Sequence, residues 1–171
     1  MLRSILLLLC WLLLWRLAVL MEYAPHASIW FPPAGLSFAA FLVMGLRAMP
    51  VLLLCSIIAT FWVDNMYQSE QDWLQLANSG ILFGAAHCFT YWLGASLLRS
   101  MVKSLVADVL PKAILSFLVI GSVTALTAAL LGTQALAISG MIQSSEVADI
   151  WLPWWIGDLA ATIVLTPLFL G

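Results

Sequence analysis

The stretch Trp151-Leu-Pro-Trp-Trp-Ile-Gly-Asp158-Leu-Ala-Ala-Thr-Ile-Val-Leu-Thr-Pro167-Leu-Phe-Leu170 decides how the chain is read. It is apolar and long enough to cross a bilayer, which takes about 20 predominantly apolar residues as a helix. Yet Asp158 stands about eight residues in from its polar start, roughly 12 Å deep at 1.5 Å per residue. A carboxylate at that depth is costly and is kept where it faces protein or water. Trp151, Trp154 and Trp155 stand at the head of the stretch, where an aromatic belt would lie.

The rest of the chain has the same character. Of 171 residues, 64% are hydrophobic and only 8% are charged, whereas soluble domains carry about a quarter charged residues. A water-soluble fold would have almost nothing to cover its surface. The apolar runs are continuous, not alternating, so the spans are expected to be helical. Cys10, Cys55 and Cys88 all lie inside apolar runs with no Cys-x-x-Cys spacing. They read as small buried hydrophobes, so neither a disulfide nor a metal site is expected.

Six spans are expected in order. The first is Ile5 to Met21, which is expected to stay in the membrane and not to be cleaved as a signal peptide, because Arg16 interrupts its core. A polar turn from Glu22 to Ser28 follows, with Pro25 and His26. The second span is expected to start at Pro32 and Pro33, since proline is tolerated in a first helical turn and breaks an interior one. It ends near Leu46, and Gly45-Leu-Arg47 forms a tight turn. Pro50 opens the third span, which runs to about Val63. An acidic loop from Asp64 to Asp72 leads into the fourth span, Trp73 to about Leu98, whose Gly80-x-x-x-Gly84 pair would let another helix come close. A basic loop, Arg99 to Lys112, precedes a long run from Ala113 to Met141, which is expected to tilt or to break near Gly132-Thr-Gln134. A second acidic loop, Gln143 to Asp149, leads into the sixth span.

With six spans, Arg3, Arg47, Arg99, Lys103 and Lys112 fall on one side. Glu22, Asp64, Glu70, Asp72, Glu146 and Asp149 fall on the other. The positive-inside rule then puts both termini in the cytoplasm.

The remaining cation, Arg16, lies inside the first span at a depth similar to that of Asp158. Charges inside a membrane usually pair, so the two are expected to face each other. One reading is a buried ion pair that fixes helix register. The other is a polar pocket open to the outside, because Trp30, Pro32, Pro33, Trp154 and Trp155 begin their spans at the same level. His87 is expected to be a hydrogen-bonded residue between helices. No second histidine matches its depth, so haem and transition metals are not expected. The chain has no P-loop, no G-x-S-x-G and no H-E-x-x-H, so it is not expected to be an enzyme by itself. Its few scattered basic residues exclude a nucleic-acid surface.

Two blocks resemble a known family. Trp30-Phe-Pro-Pro-Ala-Gly-Leu-Ser-Phe-Ala-Ala-Phe-Leu-Val-Met-Gly-Leu-Arg47 followed by Pro50, and Trp154-Trp-Ile-Gly-Asp158-Leu-Ala-Ala-Thr-Ile-Val-Leu-Thr-Pro167, resemble the bacterial membrane-associated sensor domain of the first MASE class. By that resemblance Trp30, Pro32, Pro33, Gly35, Gly157, Asp158 and Pro167 are motif positions. The resemblance implies an input module of the bacterial inner membrane, and no cofactor is expected from the residues. It implies a fused cytoplasmic output: a diguanylate cyclase, a cyclic-di-GMP phosphodiesterase or a histidine kinase of a two-component system. The family usually has about eight spans and an output domain, so residues 1–171 are expected to be a piece of a longer signalling protein or a stand-alone remnant. The expected partners are the bilayer, that output domain, a second copy in a homodimer and a small-molecule or membrane signal. Two rival readings are a substrate-binding subunit of an uptake transporter and a passive anchor that dimerises.

Overall fold

The computed structural model describes residues 2–24, 27–67, 71–104 and 110–170. Its elements are α1 (Leu2–Val19), a short antiparallel hairpin of β1 (Glu22–Ala24) and β2 (Ala27–Ser28), α2 (Pro32–Met44), a 3-10 turn (Gly45–Ala48), α3 (Met49–Tyr67), α4 (Trp73–Ser104), α5 (Leu110–Ile138) and α6 (Val147–Leu170). By length and composition, five helical stretches among the described residues could cross a membrane: Leu2–Val19, Pro32–Met66, Trp73–Val102, Leu110–Ile138 and Val147–Leu170. The outward surface agrees, since Leu13 is 70% exposed, Ile138 78% and Leu168 70%. Such faces suit lipid and not water.

The stretch Pro32–Met66 holds both α2 and α3, and the chain reverses direction within it. Alpha-helix α2 runs parallel to α6. The Phe31 N–H donates to the Gly157 carbonyl at 3.3 Å, and the Thr166 hydroxyl donates to the Gly35 carbonyl at 3.1 Å. Helix α3 instead runs alongside α1, where the Trp15 and Trp62 rings meet at 5.6 Å and Arg16 reaches Met66. Helix α2 has only 13 residues, about 20 Å at 1.5 Å per residue. It is buried on nearly every side, from Pro32 to Phe41, and packs against α6, α4 and α1. It is the central post of the bundle.

Small residues let the surrounding helices close on one another. Helix α4 lies antiparallel to α3, where a Cβ on Gly80 would come within 2.8 Å of Ile57 Cα and one on Gly84 within 2.8 Å of Ser56 Cβ. The Ser56 hydroxyl donates to the Gly80 carbonyl at 3.1 Å, an interhelical bond of the kind that holds membrane helices together. The Gly80-x-x-x-Gly84 pair therefore does admit a neighbouring helix. Farther along α4, Gly94 faces Thr124 of α5.

Several boundaries differ from those expected. Glu22–Ala24 and Ala27–Ser28 are paired strands where a plain turn was expected. Helix α2 does start at Pro32 with both prolines in its first turn, but it ends at Met44, two residues before Leu46. Gly45 carries φ of +59°, a backbone conformation that suits glycine. Helix α3 continues to Tyr67 and α4 to Ser104. Helix α5 does not break at Gly132: the Thr133 hydroxyl bonds back to the Ala129 carbonyl at 2.8 Å, and Gly132 gives up its side chain to make room for His87. Helix α6 starts at Val147, so its tryptophans lie inside it and Asp149 sits in its first turn, where the helix dipole favours a negative charge. His26, Glu70 and Asp108 lie outside the described residues.

Candidate functional site

The polar centre of the bundle is built from two rows at helical i, i+4 spacing. On α4 the row is Phe83, His87 and Tyr91; on α6 it is Trp154 and Asp158. Residues four apart share a helix face, so the rows meet as two short ladders. Asp158 is only 2% exposed. Tyr91, itself buried, donates its hydroxyl to Asp158 Oδ2 at 2.8 Å. His87 Nε2 lies 3.7 Å from the same oxygen, beyond hydrogen-bond distance. Above this node the Phe83 and His87 rings meet at a tilt with centroids 4.2 Å apart, and Trp154 meets Phe83 edge-on at 5.6 Å. His87 Nδ1 is buried with no hydrogen-bond partner.

A cavity of about 100 Å³ opens over this node. Its floor carries His87 and Asp158. Its walls include the aromatic side chains Trp11, Trp15, Phe31, Phe83 and Trp154, and the hydroxyls of Ser56 and Thr60 from α3. Glu22 and Ser28 of the hairpin line its other end. A smaller space of about 20 Å³ continues past His87 toward Tyr91, Phe41 and Cys88. A mostly apolar hollow with a few convergent polar groups is the usual form of a small-molecule site.

The expected ion pair between Arg16 and Asp158 does not form. The buried stripe of α1 is Leu7, Trp11, Trp15 and Ala18, and Arg16 falls on the exposed side, where it reaches Met66 Sδ at 3.2 Å. Helix α1 packs on α2 and α3, while α6 packs on α2 and α5, so the central helix separates the two residues. Near a helix end a long arginine can extend toward the polar surface and need no buried partner.

Of the other sequence-derived candidates, Trp154 joins Asp158 at the cavity, and His87 stands beside them between α4 and α6. The rest lie at packing contacts. Pro32 and Pro33 are buried at the start of α2. Gly35 gives α2 its contact with the backbone of α6 at Ala161, and Gly157 leaves room for the Ser28 carbonyl, 2.8 Å from where its Cβ would be. Trp155 points to α5, where its indole N–H donates to the Ser122 carbonyl at 3.3 Å. Trp30 is half-buried beside Ser28, whose hydroxyl lies 2.8 Å from the Trp30 carbonyl. Sequence reasoning missed Tyr91, Phe83, Trp11 and Trp15. The aromatic i, i+4 row through His87 was the signal for the first two, and the Trp11–Trp15 pair on one face of α1 for the others.

The chain is thus a helical, multi-pass membrane domain with a polar-floored cavity among its helices. The MASE1 family model matches residues 2–170. The chain belongs to that family of membrane-associated sensor domains. No curated protein and no solved structure matches it.

Proposed function

We propose that this chain is the input module of a bacterial inner-membrane signalling protein, and that occupancy of the cavity over Asp158 and His87 is the input. The observation that carries the reading is the cavity itself: a buried carboxylate and a histidine at the floor of an aromatic-walled hollow between helices. A passive anchor has no need of a charge there, because burying one in a membrane is costly. The chain crosses the membrane six times in this reading, with α2 as a short, fully sheathed crossing. Both termini lie in the cytoplasm, since Arg3, Arg47, Arg99 and Lys112 share one end of the bundle. The hairpin and the cavity then face outward.

The module itself is not catalytic. It regulates a cytoplasmic partner that turns over cyclic-di-GMP or acts as a histidine kinase. A ligand or membrane state transmits a signal only if it binds two helix packings with different affinity. Helix α6 is suited to carry the change inward, because it holds Asp158 at the cavity and grips α2 at Gly35 and Thr166 farther along.

The test is a fusion of the chain to a diguanylate cyclase domain, with cellular cyclic-di-GMP as readout. Ala59 on α3 lines the cavity and Leu82 on α4 faces lipid. Ala59→Phe, which fills the cavity, is expected to fix the output at one level under all growth conditions, and Leu82→Phe to leave it responsive. An Ala59→Phe fusion that is present in the membrane and responds normally would refute the assignment of the cavity.

A further inference from the structure

The cavity brings carboxylates to its lining without a lysine or arginine among the described residues. Asp158 forms part of the floor and Glu22 part of the far end. Arg16, one helix face away, donates to Met66 instead. A buried carboxylate needs a counter-charge or a full set of hydrogen bonds. Tyr91 supplies one hydrogen bond, and His87 Nε2 stands at 3.7 Å, within ion-pair distance but too far for a second hydrogen bond. The walls have matching chemistry. Trp11, Trp15, Phe31, Phe83 and Trp154 bring aromatic rings to the cavity, and aromatic faces attract cations more strongly once water is excluded. The His87 Nδ1 atom, buried without a partner, adds polar capacity that protein groups leave unused.

We infer that the cavity binds a small organic cation, an amine in its protonated form, with Asp158 as its counter-charge and the aromatic walls around its apolar part. The inference rests on the reading of the cavity as the input site and names the chemical class of the input. The size fits. A single water needs roughly 10–15 Å³ of such space, so a cavity of about 100 Å³ takes a molecule of several heavy atoms and not a peptide. A bare metal ion fits poorly, because hard cations take six or more oxygen ligands, and the described residues hold no cluster of three or more His, Cys, Asp or Glu that could bind one.

The experiment uses the whole chain in nanodiscs and three probes of one shape: isobutylammonium, isobutanol and isobutyrate. Binding is read as a saturable change in tryptophan fluorescence, with empty nanodiscs as the blank. Isobutylammonium is expected to bind roughly tenfold or more tightly than isobutanol, the size of effect expected for a hydrogen bond to a charged group, and isobutyrate not to bind. Asp158→Asn is expected to remove the preference for the amine over the alcohol. The comparison of the three probes on the unaltered chain stands even if that variant fails to fold. Equal binding of amine and alcohol would overturn the cation proposal and keep the cavity as an apolar ligand site. Preferential binding of isobutyrate would overturn it in favour of an anion site. Binding of none of the three would also overturn it, and the cyclase fusion with Ala59→Phe would then decide separately whether the cavity serves as an input at all.

Discussion

Tyr91 on α4 donates its hydroxyl to the carboxylate of Asp158 on α6, at 2.8 Å and across 67 positions of sequence. This bond ties the two helices that carry the polar centre, and it does so where neither residue meets bulk water. Removing the phenol leaves a carboxylate short of a donor. Tyr91→Phe is therefore expected to destabilise the domain by about 1–2 kcal/mol, more than the ~0.6 kcal/mol average for hydrogen bonds between membrane helices, because the acceptor is charged. Asp158→Asn should make the Tyr91→Phe change much less costly. Unfolding of the two single variants and the double variant in mixed micelles gives the coupling directly, and a coupling of zero would mean that the bond contributes nothing.

Arg16 belongs to a different surface. Its contact with Met66 and its place on the exposed side of α1 predict independence from Asp158. The destabilisations of Arg16→Ala and Asp158→Ala should add within about 0.5 kcal/mol in the double variant, as they do for residues with no shared partners. A double variant that recovers stability would instead show that the two charges pair.

This pair also marks how far the sequence can be read. The membrane class, the helical spans and the start of α2 at Pro32 follow from apolar runs and proline chemistry, which are local properties. The cost of Asp158 is local too, so its importance was legible from depth alone. Its partner was not. Pairing by equal depth pointed to Arg16, but partners depend on which helices are neighbours, and the buried α2 stands between α1 and α6. The helical phase of α1 held a correction: Leu7, Trp11, Trp15 and Ala18 form one stripe, and Arg16 lies off it. The close backbone contacts at Gly35 and Gly157 depend on α2 and α6 running parallel, which no local pattern encodes.

The contact of α2 with α6 gives a controlled pair of substitutions. A Cβ on Gly35 would overlap the Ala161 carbonyl and come within 2.9 Å of Leu165 Cβ, while a Cβ on Gly121 would meet Thr162 Cγ2 at an ordinary 3.5 Å. Backbone on backbone cannot yield without moving a helix. Gly35→Ala is expected to cost about 1–3 kcal/mol or more, as overpacking does, and to lower the yield of folded protein. Gly121→Ala should be neutral or slightly stabilising, because alanine favours a helix interior. Thermal unfolding in detergent compares the two, and equal behaviour would contradict the tight seam between α2 and α6.

Sidedness follows from the loop charges. A cysteine at Ser145, in the exposed connection before α6, should react with an impermeant thiol reagent added to intact cells. One at Arg47, in the turn after α2, should react only after permeabilisation. External labelling at position 47 would overturn both the orientation and the six crossings.

If what sits in the cavity sets the output, then tethering a small group there must change it. Thr60 is 7% exposed yet lines the cavity, and Leu82 is 45% exposed on a lipid-facing surface. In a cyclase fusion whose Cys10, Cys55 and Cys88 are replaced by Ala, Thr60→Cys is treated from outside with a small cationic methanethiosulfonate. Modification, followed by mass spectrometry, should proceed and shift cyclic-di-GMP production to a new fixed level, while the same reagent on Leu82→Cys leaves production unchanged. Complete modification of the cysteine at position 60 with no change in cyclic-di-GMP would show that cavity occupancy does not set the output.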